Sequence, residues 1–159
     1  GIPMPADHER FIRLAIDEAD KGGAEGNSAV GSIIVENNTV IGVGRNLVGA
    51  SNDPTAHAET VALRETAAAL GRSDFSGCAL YTTFQPCPMC SGAIMVSGIS
   101  TVVMGARPNP GESQYGDFSV EKLFQESGWG SKIEVVSGIL TEECWKIRLD
   151  WAAKNGLSR

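Results

Sequence analysis

Two short motifs, each placed where a helix would begin, constrain this chain more than any other feature: His57-Ala58-Glu59 and Pro86-Cys87-Pro88-Met89-Cys90. Cysteines at positions i and i+3 of a helix start project to one side, and the unpaired amides of that first turn favour thiolates. One imidazole and two thiolates give a zinc ion three protein ligands, His57, Cys87 and Cys90. A structural site adds a fourth, but the only other histidine is His8, in a predicted first helix. Three ligands with the fourth position left to water is the arrangement of a catalytic zinc site. The fold must therefore bring two helix starts together.

Pro86 to Cys90 alone would also read as a redox pair. His57 and Glu59 decide against that. Two residues past the histidine and in the first helical turn, the Glu59 carboxylate can approach a metal-activated water without binding the metal, as a general acid/base should. Cys78 and Cys144 fall in a predicted strand and helix and read as small core residues. Gly42-Val43-Gly44 lacks the third glycine and the following helix of a dinucleotide-binding turn.

The remaining pattern predicts one α/β domain over residues 4–159, with Gly1-Ile2-Pro3 before Met4 read as an expression scar. Apolar residues at helical spacing predict a first helix over 7–21, stopped by Gly22-Gly23 and Gly26. Strands over 30–35 and 39–43 join at Asn37-Asn38 in a tight hairpin. A polar loop over 46–53 precedes a helix from Pro54 to Leu70, ended by Gly71. Further strands over 78–83, 101–104 and 132–136 alternate with helices over 88–96, 120–125 and 142–154. A hairpin followed by alternating elements implies a three-layer α-β-α sandwich on a mixed five-stranded sheet. Trp145 and Trp151 read as the apolar face of the closing helix, with Trp151 alternatively overhanging a pocket.

A His-x-Glu followed by Pro-Cys-x-x-Cys is the signature of zinc-dependent deaminases. The chain resembles the cytidine and nucleobase deaminase superfamily over nearly all its length. Asn52 to Glu59 resembles bacterial tRNA adenosine deaminases and guanine deaminases; Tyr81-Thr82-Thr83 and Cys90 to Met95 resemble these and fungal cytosine deaminases. The resemblance implies a cytidine-deaminase-like fold, one zinc ion on His57, Cys87 and Cys90, and Glu59 as proton shuttle. It also implies that Asn46 and the backbone of Ala58 contact the base, and that the protein is a homodimer. From the residue alone, Asn46 reads as one that caps or bridges its loop; the resemblance favours the base contact.

Four departures bear on the substrate. The C-terminal helix lacks the basic extension often seen in tRNA adenosine deaminases. Gln85 stands where tRNA and guanine deaminases typically carry Glu; Pro108-Asn109-Pro110 replaces a usual acidic nucleotide contact; and Asn27-Ser28-Ala29 replaces a common proline before Val30. Ser28 and Gln85 are therefore expected in a small, polar base pocket, with Trp151 at its edge. Net charge is -6 and the pI about 4.9, against the clustered cations of a phosphate-binding surface. The expected activity is hydrolytic deamination of a free base of the cytosine or isocytosine type, or of guanine, with tRNA adenosine editing as the alternative. A noncatalytic zinc-stabilised interaction protein is the third class. No window reaches the roughly 18 apolar residues of a membrane span. No secretory leader is visible, so a reducing cytoplasm is the expected compartment.

Overall fold

The computed structural model describes residues 5–156; the first three residues, expected to be a scar, lie outside them. Eleven elements follow in order: α1 (Pro5–Ala24), β1 (Gly31–Glu36), β2 (Thr39–Arg45), α2 (Val48–Ser51), α3 (Ala58–Leu70), β3 (Ala79–Phe84), α4 (Pro88–Ser97), β4 (Thr101–Ala106), α5 (Val120–Glu126), β5 (Glu134–Val136) and α6 (Thr141–Lys154). The sheet runs β2-β1-β3-β4-β5. β1 is antiparallel to both neighbours, whereas β3, β4 and β5 are parallel, so the sheet is mixed as expected.

Alternation along the buried central strands separates two apolar faces. Ile33, Val35, Ala79, Tyr81 and Val103 pack against Phe11, Ile12 and Ala15 of α1 and Cys144 of α6. Ile34, Leu80, Val102 and Met104 pack against α3, α4 and α5 through Leu63, Ile94 and Phe124. Helices cover both sides, giving three layers. Cys78 and Cys144 are core residues, as their positions in the pattern predict.

The hairpin turns on Asn37 and Asn38, both left-handed with φ of 50° and 62°, which is the geometry a two-residue turn needs. Boundaries differ from expectation in four places. Gly22 and Gly23 do not stop α1. They lie inside it: α1 runs on to Ala24, and the chain turns at Gly26, left-handed with φ of 89°. The loop after β2 contains the short helix α2. α3 begins at Ala58 rather than Pro54, because Asp53 ties its Oδ1 to the Thr55 amide and hydroxyl in a turn. β5 is shortened because the amides of Lys132 and Ile133 donate back to the Trp129 carbonyl.

Close backbone approach fixes where α3 sits. A Cβ on Gly44 would meet the Ala58 carbonyl and the backbone of Ala62, so β2 touches the first turns of α3. Among the described residues no helix is long and apolar enough to cross a membrane.

Candidate metal centre and adjoining cavity

The site forms at the carboxyl end of β3, where α3 and α4 present their first turns. His57 is the N-cap of α3, in extended conformation; Cys87 is the N-cap of α4, followed at once by Pro88. Proline suits that position because its missing N–H would have no helical partner. The Cys87 sulfur instead accepts from the Cys90 amide at 3.5 Å.

His57 Nδ1 lies 3.5 Å from Cys87 Sγ and 3.6 Å from Cys90 Sγ, and the ligand atoms of all three lie within 4.8 Å of one another. A tetrahedral zinc ion with bonds of about 2.0–2.1 Å to nitrogen and about 2.3 Å to sulfur separates those atoms by roughly 3.6 Å. The donor set fits zinc in both chemistry and spacing. Cys90, sharing its proton with Cys87, and the His57 imidazole hold the Cys87 thiol down to about 4 against the opposing effect of burial. Cys90 is pushed up, first by that shared proton and then by burial. His57 is raised, chiefly by its contact with the Cys87 sulfur.

Glu59 is 4% exposed and lines the same cavity. Burial pushes its carboxyl up to about 7, with the neighbouring Cys87 charge acting in the same direction. A carboxyl poised near neutrality can both take and return a proton.

The cavity has a volume of about 360 Å³. It brings together Ser28, Asn46, His57, Ala58, Glu59, Gln85 and Cys87. Asn46 does cap its loop, since Oδ1 accepts from the Val48 amide at 3.0 Å. That bond turns its Nδ2 into the group available to a ligand. Gln85 is held likewise: its Oε1 accepts from the Val120 amide at 3.3 Å.

Trp151 is a correction. It is not among the walls of this cavity; its indole lies against Gly23, where the last turns of α6 cross α1. The residue of α6 that reaches the cavity is Trp145, edge-on to Phe84 with ring centroids 5.3 Å apart. Arg148, one turn later, sets its guanidinium 4.1 Å from the centre of the Phe84 ring. Tyr115 and Phe118, on the loop between β4 and α5, complete an aromatic wall. Sequence reasoning missed these residues. Nothing in the sequence from Pro108 to Phe118 signals that this loop folds back over the metal centre.

Residues 5–106 match the cytidine and deoxycytidylate deaminase zinc-binding region, and the chain belongs to that family. It is 38% identical to the tRNA-specific adenosine deaminase of Bacillus subtilis over 137 residues, 86% of this chain and 83% of the relative. It is 35% identical to the cytosine deaminase of Candida albicans over 142 residues, 89% of this chain and 86% of the relative. A solved structure of a protein in complex with 2,6-diaminopurine superposes with a TM-score of 0.83 at 26% identity, covering 97% of this chain and 86% of that one. The chain is a zinc-binding deaminase of the cytidine deaminase family.

Proposed function

We propose that this protein hydrolytically deaminates a free nucleobase, an aminopyrimidine of the cytosine or isocytosine type or guanine, and releases ammonia. The observation that carries the reading is the composition of the cavity wall. Among the described residues lining it, Arg148 is the one Lys or Arg, and the covering loop contributes Glu112. A polynucleotide substrate is held mainly through phosphates and needs a cationic track leading to the site. A free base needs a flat, partly apolar slot with a few directed polar groups. Phe84, Trp145, Tyr115 and Phe118 supply the first; Asn46, Gln85 and Ser28 supply the second.

Zinc, when bound, supplies Lewis acidity that lowers the pKa of a coordinated water toward about 7. Glu59 accepts the proton of the attacking water. It delivers that proton to the ring nitrogen, then takes the proton of the new hydroxyl on the amino-bearing carbon and passes it to the amine, so that the carbon becomes a carbonyl as ammonia leaves. Asn46 Nδ2 and the Ala58 backbone orient the ring edge. The aromatic wall excludes solvent from the face of the base. A homodimer belongs to the same reading: Met89 and Val96 leave an apolar face of α4 exposed, Val96 by 87%. Gel filtration at micromolar concentration should give twice the chain mass.

Adenosine editing on tRNA is the second reading, favoured by the 38% identity to the Bacillus subtilis enzyme across 86% of this chain. One experiment separates the two. Ammonia release is measured on cytosine, isocytosine, guanine, adenine, their nucleosides and an adenosine-containing anticodon stem-loop, each beside Glu59→Ala. Glu59-dependent turnover of one free base supports the proposal. Turnover of the stem-loop alone, weakening as salt rises, replaces it with the second reading.

A further inference from the structure

Asn27 is 3% exposed, yet it sits on the turn between α1 and β1 rather than in the sheet. Its backbone amide donates to the Gly22 carbonyl at 2.9 Å, and its Oδ1 accepts from the Ala50 amide at 3.0 Å. Ala50 belongs to α2, the four-residue helix that starts two residues after Asn46. So short a helix has no stability of its own and keeps its position only through what holds it.

Three other bonds anchor the first residue of α2 and the approach to it. Asn46 donates its amide to Val30 at 3.3 Å, Leu47 donates to Ala56 at 2.9 Å, and Val48 donates to Asn46 Oδ1 at 3.0 Å. Of these contacts, the Asn27–Ala50 bond is the one that ties the helix itself to the turn carrying Ser28. Gly49 lets that approach happen, since a Cβ there would come 3.1 Å from Asn27 Oδ1. The Nδ2 of Asn27 is buried without a hydrogen-bond partner among the described residues. Burying that donor is costly, so the acceptor on the same side chain must be what the position requires.

We propose that Asn27 is a positioning residue for substrate binding. By fixing α2 it fixes the direction of the Val48 amide, which fixes Asn46 Oδ1, which aims Asn46 Nδ2 at the base. The proposal rests on Asn46 being a base contact, as in the function proposed above. Displacing a binding group by an ångström far from the reacting atoms can cost up to about 100-fold in rate.

The test is a double-mutant cycle of Asn27→Ala and Asn46→Ala in kcat/KM, run on whichever substrate of the panel the wild-type protein turns over. Zinc content and melting temperature are measured for every variant. Asn27→Ala is expected to keep its zinc and to lose kcat/KM on the order of 10-fold. In the Asn46→Ala background the same change is expected to lose almost nothing more, because its effect passes through the missing side chain. Losses that multiply independently, or a wild-type kcat/KM in Asn27→Ala, overturn the proposal. If Asn27→Ala does not fold, Gly49→Ala strains the same bond from the other side and enters the cycle in its place. Failure of the free-base reading shows in the panel, as turnover of the stem-loop alone; failure of this inference shows in the cycle.

Discussion

His57 Nδ1 lies 3.5 Å from Cys87 Sγ, and each of these residues is the N-cap of its helix, α3 and α4. Metal binding and the docking of those two helices are therefore one event. His57→Ala and Cys87→Ala should each lose zinc, read as metal per chain in the purified protein. Chelation of the wild type should lower its melting temperature, because an ion that binds only the folded chain stabilises it. A full zinc complement in either variant would contradict the ligand set.

Glu59→Gln removes the proton carrier while keeping size and polarity in a site that is 4% exposed. Turnover should fall by about 10²- to 10⁴-fold, the usual worth of a positioned acid/base. Zinc content should stay at the wild-type level, since Glu59 is not among the three ligands. Turnover close to wild type would remove Glu59 from the mechanism.

His8 gives the fold a pH dependence remote from the cavity. It is buried, with Nδ1 2.8 Å from the Tyr81 hydroxyl. Burial lowers its pKa from the ordinary 6.5, with Glu134 and Asp7 pulling weakly the other way. The unfolded chain therefore takes up this proton before the folded one does. Its contribution to stability is complete above that ordinary value and is lost as pH falls below it toward the folded pKa. The slope is at most about 1.4 kcal/mol per pH unit for one proton. Urea unfolding of His8→Gln should show a shallower decline between about pH 7.5 and about pH 5.5 than the wild type. Parallel declines would sink the assignment.

The convergence of His57, Glu59, Cys87 and Cys90 was legible because the signal is local: each motif sits within a few residues of a helix start, and helical spacing fixes the side. The layers and the hairpin were legible too, through the order of the elements and the Asn37-Asn38 turn. The aromatic wall was not. Phe84, Trp145 and Tyr115 come from a strand end, a distant helix and a loop, and no periodicity links them. Trp145 and Trp151 look alike in sequence, and only the packing of α6 over Gly23 sends one to the cavity and the other to α1. Gly22 and Gly23 misled for a related reason. A glycine that breaks a helix and a glycine that the helix simply runs through read identically in sequence.

Gly44 tests how tightly the sheet controls the metal centre. It lies on β2, where an added Cβ would collide with the Ala58 carbonyl and come 2.5 Å from the Ala62 nitrogen, both in the early turns of α3. Those atoms are backbone, so relief requires moving the helix that His57 caps and that carries Glu59. Gly44→Ala should cost about 3 kcal/mol through overpacking. For a domain of this size that lowers the melting temperature by roughly 6–12 °C. Its zinc affinity should also fall, because the displaced N-cap no longer faces the two sulfurs. Gly92→Ala is the matched control: it lies inside α4, and an added Cβ meets nothing within 4 Å. That change should stabilise the helix by about 0.5–1 kcal/mol and leave zinc affinity at the wild-type value. A Gly44→Ala protein that melts and binds zinc like the wild type would mean that α3 is positioned from α4 and the metal, and that the contact with β2 follows from it.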